Sequence, residues 1–122
     1  MIGSAFGEIL KKTVEATPSA LGGALAAGDG ETVDFWTDLD NEEWSLLTAH
    51  FGIIVSHVRH ALHTFHFGDI QFIYLTYDAI DIAIQVVEHE YYVILALAPP
   101  VHLGLTRKSL ASAAVSLRKE MA

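Results

Sequence analysis

The sequence predicts an α/β fold of the α+β type, with its elements in the order α-β-β-α-β-β-β-α. Three observations carry that prediction. The stretch GDIQFIYLTYDAIDIAIQVVEHEYYVILALAPP, Gly68 to Pro100, holds three strand-like runs. The connections between them are too short for crossovers, so the runs read as an antiparallel meander. A long helical pattern from Asn41 to about Phe67 precedes the meander, and shorter helical patterns stand near both ends of the chain. Between the first helix and the long one, two short runs flank Gly28-Asp29-Gly30, which makes a second hairpin.

Each element has its own justification. Ser4 to Ala16 places Phe6, Ile9, Leu10, Thr13 and Val14 at helical spacing, and Thr17-Pro18 stops the pattern. ALGGALAA, Ala20 to Ala27, is small and apolar; its glycines disfavour a helix and let another element approach the backbone, so it reads as a strand. Glu31 to Thr37 returns as an alternating strand, with Val33 and Phe35 on one side and Thr32, Asp34 and Trp36 on the other. The long helix spaces Trp44, Leu47, Phe51, Ile54, Val58, Leu62 and Phe65 three and four residues apart, a stripe expected to lie on the sheet. Leu46, Ile53 and Ala61 widen it, which points to a further contact such as a neighbouring subunit.

In the meander, Ile70 to Tyr77 is apolar on both faces. Ile80 to Glu88 sets Ile82, Ile84 and Val86 against a mixed face of Asp81, Ala83, Gln85 and Val87. Tyr91 to Ala98 is apolar throughout and reads as a central strand, ended by Pro99-Pro100. Leu103 to Met121 closes the chain as an amphipathic helix with Leu103, Leu110, Ala113, Ala114, Leu117 and Met121 near one face.

With 122 residues the chain has room for one well-buried core, so residues 1–122 are expected to form a single domain. Apolar residues make up 52% and charged residues 18%, which excludes disorder and leaves apolar surface for a permanent partner, most simply a second copy. No run approaches the roughly 20 apolar residues that span a bilayer, so membrane insertion is not expected. The start, MIGSAFGEILKK, mixes acid and base and lacks the layout of a secretory signal. There is no cysteine, hence no disulfide or thiolate chemistry, and the cytoplasm is the expected compartment. A net charge of −8 with only seven Lys and Arg opposes nucleic-acid binding. Four of those seven, Arg107, Lys108, Arg118 and Lys119, sit on the closing helix, as a basic patch or as an ordinary solvated face.

Two patterns compete for a functional reading. From Asp29 to Glu43 there are seven acidic residues and no basic one. Asp40 suits a helix N-cap, and Glu42 and Glu43 suit the first turn of the helix that follows. The remainder is either a solvated rim or a partner-reading surface, with Asp34, Trp36, Asp38 and Asp40 as its candidate residues. The long helical run also carries His50, His57, His60, His63 and His66. Successive three-residue steps fall about 60° short of a full turn, so the last four fan around the helix and do not converge on one metal ion. No metal or cofactor is expected. No phosphate loop, dinucleotide glycine pattern or nucleophile elbow is present, so the chain is not expected to be an enzyme.

Three pieces of sequence carry a family resemblance. ALGGALAAGDGETVDF matches a first hairpin, EEWSLLTAHFGIIVSHVRHAL a long helix, and YYVILALAPPVHLGLTRKSLASAAVSL a last strand and helix. In the last piece a hydrophobic strand runs through a proline-containing turn into Leu103-Gly104-Leu105, with Arg107 soon after. Together they resemble the roadblock family, named for dynein light chains, over nearly the whole chain. His102 stands where the family commonly has a small polar residue, and the Asp78-Ala79 turn lacks the usual glycine.

The resemblance implies a five-stranded antiparallel sheet, profilin- and longin-like, with the long helix on one face and the two terminal helices on the other. It implies a dimer, formed by pairing the first meander strand across a two-fold axis with the long helices side by side. The implied dimer surface is Phe72, Ile73, Tyr74 and Leu75 with Phe51, His57 and Val58. Bacterial members of the MglB and MglC type regulate small Ras-like GTPases, and others serve as light chains or scaffold subunits. The resemblance therefore implies a non-enzymatic homodimeric regulator or adaptor whose partners are a Ras-like GTPase, another roadblock protein, or both.

Overall fold

In a computed structural model of the chain, residues 4–63 and 65–122 are described. The elements are α1 (Ala5–Ala16), β1 (Ala20–Ala27), β2 (Thr32–Thr37), α2 (Asn41–Leu62), β3 (Phe72–Thr76), β4 (Asp81–Glu88), β5 (Tyr91–Leu97) and α3 (Leu103–Met121). Their order is the expected one. The strands form one antiparallel sheet in the spatial order β2-β1-β5-β4-β3, so β5 is central and β2 and β3 are the edges.

The central position of β5 follows from its composition: Tyr92 to Leu97 are all buried, which requires cover on both faces. On one face Leu25, Ala83, Val93, Leu95 and Leu97 pack with Leu10 and Val14 of α1 and Leu110, Ala114 and Leu117 of α3. On the other, Ala24, Ala26, Ile82, Ile84, Ile94 and Ala96 pack with Trp44, Phe51 and Val55 of α2. The helices begin at side-chain caps. Ser4 accepts from the Gly7 amide at 2.9 Å, and Asp40 from Glu43 at 2.9 Å. At α3 the cap is His102, whose Nδ1 accepts from the Leu105 amide at 3.1 Å. An imidazole there does the work that a small polar side chain does elsewhere.

Several expectations need correction. Helix α2 ends at Leu62, not near Phe67, and β3 covers only Phe72–Thr76 of the expected Ile70 to Tyr77. The buried stripe of α2 is Trp44, Thr48, Phe51, Gly52 and Val55. At 100° per residue its centre is turned by about 60° from the expected stripe. Leu47, Ile54 and Leu62 are consequently exposed. The cause is the close approach of α2 to β1: a Cβ on Gly52 would press on the Ala27 carbonyl oxygen and lie 3.2 Å from its carbon. Thr48 and Gly52 are small enough for that line, so the helix seats on them with Trp44, Phe51 and Val55 packed alongside while Leu47 and Ile54 turn away. The Trp44 indole N–H, in turn, donates to the Gly23 carbonyl at 3.1 Å.

The alternation expected for β2 also fails at one point. Leu25 pairs with Asp34 and Ala26 with Thr32, so Val33 is an extra, bulged residue. Val33 and Trp36 therefore pack on the α1/α3 side, while Phe35 packs with α2. The mixed face of β4 is covered: Ala83 and Val87 lie in the α1/α3 cluster, and Asp81 is 9% exposed.

Candidate interaction surface

The two sheet edges differ. Edge strand β2 is bulged, and Asp34 is tied to α1, accepting from Ser4 Oγ and from its neighbour's amide, Phe35, at 2.8 Å. Such an edge is blunted against further strand pairing. Edge strand β3 has none of these devices. Its register with β4 runs unbroken from Phe72↔Gln85 to Thr76↔Asp81, and it carries no charge and no proline. Its outer row of backbone donors and acceptors is a template for another strand.

The side chains of β3 divide between the two faces. Phe72 and Tyr74 pack on the α1/α3 side, their rings stacked with centroids 6.4 Å apart, and the Arg107 guanidinium lies 4.6 Å from the Phe72 ring centre. The Tyr74 hydroxyl donates to the Asp81 carboxylate at 2.5 Å. Burial, then that hydrogen bond to a negative partner, push the Tyr74 phenol up to about 12. Ile73 and Leu75 face the other side, half-buried. Helix α2 packs on β1 and β2 and touches β5, so it does not roof β3 on that side.

On the same face of the sheet, one flank of α2 is also apolar. Leu47, Ile54 and Leu62 are exposed, Ile54 by 48%, and Val58 is half-buried. Beyond the helix, Phe65 and Phe67 stack at 6.1 Å, and Phe67 is 90% exposed. Of the residues singled out by sequence, Phe72, Ile73, Tyr74 and Leu75 lie on the free edge, His57 is exposed on α2, and Phe51 is in the core. Phe51 thus supports the surface from beneath. Phe67 is also exposed near this edge, whereas Leu46 and Ile53 face the other flank of α2, Leu46 beside Glu42 and Glu43 and Ile53 against Gly30 of the β1–β2 turn.

The acidic rim resolves into parts with separate tasks. Asp34 ties β2 to α1, Asp40 caps α2, Trp36 is half-buried against the α1/α3 cluster, and Trp44 is wholly core. Asp38, Glu42 and Glu43 remain exposed beside Leu39 and Leu46.

Arg59 is the residue that sequence reasoning missed. Its guanidinium forms a two-point ion pair with Asp69, at 2.6 and 3.2 Å, donates to the His89 carbonyl, and reaches the Tyr92 hydroxyl at 3.3 Å. The Arg59 pair with Asp69 raises the arginine and lowers the carboxylate. This clasp joins the end of α2 to the loop leading into β3 and to the β4–β5 turn. Its one sequence signal was a lone arginine among histidines. A cleft of about 370 Å³ lies beside it, lined in part by His60, His63 and Glu90. Among the described residues no three metal-ligating side chains come together, and no helix is long and apolar enough to cross a membrane.

No protein-family model matches the chain, and no curated protein matches it. Solved structures do. A roadblock/LC7 domain from Streptomyces avermitilis is 16% identical, with 93% of this chain and 95% of that one covered and a TM-score of 0.83. MglB of Myxococcus xanthus is 13% identical over 99% of this chain and 92% of that one, TM-score 0.81. MglC of the same organism is 23% identical over 96% and 99%, TM-score 0.68. In element order, sheet topology and helix placement, the chain has the roadblock/LC7 fold.

Proposed function

We propose that this chain is a non-enzymatic, homodimeric regulator or adaptor of a small Ras-like GTPase, acting directly or through a second roadblock protein in the cytoplasm. The observation that carries the reading is the unprotected β3 edge, with an exposed apolar flank of α2 on the same face of the sheet. Pairing β3 with β3 of a second copy across a two-fold axis satisfies the edge and brings each α2 flank over the partner's Ile73 and Leu75. The dimer surface in this reading is Phe72, Ile73, Tyr74 and Leu75 with His57 and Val58, supported from below by Phe51. The likeness to MglB and MglC structures supports the same reading at the level of fold. Residues 1–122 act as one domain, and the exposed part of the acidic rim, Asp38 above all, contributes to partner contact.

Such a dimer needs no catalytic residue. It acts by holding the switch segments of its partner in one of their arrangements.

Two measurements test the reading. Sedimentation equilibrium of the purified chain should return the mass of a dimer, and Tyr74→Pro, which removes a ladder donor at the seam, should give monomer or aggregate; a stable soluble dimer from that variant places the interface elsewhere. Affinity capture from the native cytosol, run with a GTP analogue and again with GDP, should retain a small GTPase with a nucleotide preference. The same non-GTPase partners under both nucleotides would replace regulation with a scaffold role.

A further inference from the structure

The basic residues are gathered in one layer. Lys11 and Lys12 are on α1, and Arg107, Lys108, Arg118 and Lys119 on α3, which leaves Arg59 alone elsewhere. The same two helices carry only Glu8, Glu15 and Glu120 as acids, in a chain of net charge −8. Two of the cations are already used: Arg107 lies over Phe72, and Arg118 donates to the Val87 carbonyl at 2.8 Å. Lys12 and Lys108 are exposed, form no ion pair among the described residues, and stand on opposite walls of an open groove of about 540 Å³ between α1 and α3.

The floor of this groove is apolar. Ile9 and Ala113 line it, and Leu105 is 43% exposed at one end. Ser109, Ser112 and Ser116 continue the α3 wall with small side chains, which keeps the trough open. No carboxylate lines it among the described residues. From Leu105 to Ser116 the trough runs for about 16 Å, three turns of helix.

We propose that this groove docks an acidic amphipathic helix from a partner protein, its apolar stripe on Ile9 and Leu105 and its carboxylates flanking toward Lys12 and Lys108. The charge complementarity selects an acidic occupant. The walls select a helix: both are helical, with their backbone groups already paired, so an extended segment would find no strand edge to join, whereas a helix satisfies its own backbone. The concavity disfavours a flat membrane surface. The groove lies on the sheet face opposite α2, so a dimer seamed through β3 presents it twice.

The test uses an isotope-labelled full chain and a stapled amphipathic helix of about 12 residues with a Leu stripe flanked by Glu, long enough for the trough. NMR titration should move the resonances of Ile9, Lys12, Leu105, Lys108 and Ser112 saturably. Lys12→Glu/Lys108→Glu should weaken binding at least about tenfold while leaving the far-ultraviolet spectrum unchanged. Replacing Glu by Lys in the probe, or Leu by Ser, should abolish it. The proposal is overturned by shifts outside the groove, by equal binding of the Lys probe, or by no binding at millimolar probe. It is also overturned if phosphatidylserine vesicles bind where the helix does not. Concentration-dependent self-association lost in the double variant would assign the groove to a second copy instead.

Discussion

Gly52→Ala tests the seating of α2 more sharply than any truncation. In an isolated helix the change is favourable by about 1 kcal/mol, because Ala gives up less backbone entropy than Gly. Here the added methyl would push into the Ala27 carbonyl and stand 3.5 Å from the Ala26 Cβ, with backbone on the far side that cannot rotate away. The helix must lift, loosening Trp44, Phe51 and Val55 together. Because the methyl meets backbone rather than a movable side chain, the overpacking belongs to the upper part of the usual range, about 2–3 kcal/mol, so the net is about 1–2 kcal/mol of destabilisation after the propensity gain of about 1 kcal/mol. For a domain of this size that lowers Tm by about 5–10 °C. Thermal melts and urea titrations followed by circular dichroism measure it. Gly68→Ala is the control, since Gly68 has φ of 84° and nothing within 4 Å, and its cost is the left-handed backbone alone. A Gly52→Ala protein as stable as wild type, or more so, would refute the close seating and with it the explanation for the rotated stripe.

Ile54→Asp should leave monomer stability within about 0.5 kcal/mol, because the side chain is exposed in the isolated chain, yet shift sedimentation from dimer to monomer. Tyr74→Phe should cost about 1–3 kcal/mol by urea titration, since it leaves the buried Asp81 carboxylate without its donor. The same pair predicts an alkaline limit. The Tyr74 phenol is raised in the folded state to about 12. Its contribution is therefore complete below the unfolded phenol value near 10 and is lost as pH climbs through the folded value, which tyrosinate absorbance will follow. Arg59→Ala should cost about 1–2 kcal/mol by the same titration, through the His89 carbonyl and Tyr92 contacts it abandons, whereas Asp69→Asn should cost only a few tenths, the exposed carboxylate being largely screened.

The parts of the fold legible in sequence were those set by local chemistry. ALGGALAA became β1 with the expected bounds, and Leu103 to Met121 became α3, because turn glycines, prolines and continuous periodicity mark such ends. What periodicity could not supply was the azimuth of α2. A stripe drawn through apolar residues alone joins Leu47, Ile54 and Val58 to Trp44 and Phe51, whereas the sheet side joins Trp44 and Phe51 to Thr48 and Gly52, whose merit is being small. The bulge at Val33 was invisible for a similar reason: it is a property of the pairing of β1 with β2, and an alternating string carries no record of its partner. Of the candidate surface, the β3 segment was legible from its two apolar faces. The Arg59 clasp was not, since it joins residues as far apart as Arg59 and Tyr92 through the closed fold.

The rotation of α2 also has a consequence for assembly. Had Leu47, Ile54 and Val58 lain on the sheet, this flank of the helix would have been buried inside one chain. Instead, Thr48 and Gly52 seat the helix with Trp44, Phe51 and Val55 buried, and Leu47 and Ile54 are left exposed. In the proposed dimer, strand pairing would set the register and the helix flank would supply apolar area. Either alone would be a weak or promiscuous contact: an edge strand pairs with any chain, and an apolar flank has no register. Joined, they favour a two-fold mate that offers the same edge and flank in return, which is the geometry an isologous dimer requires.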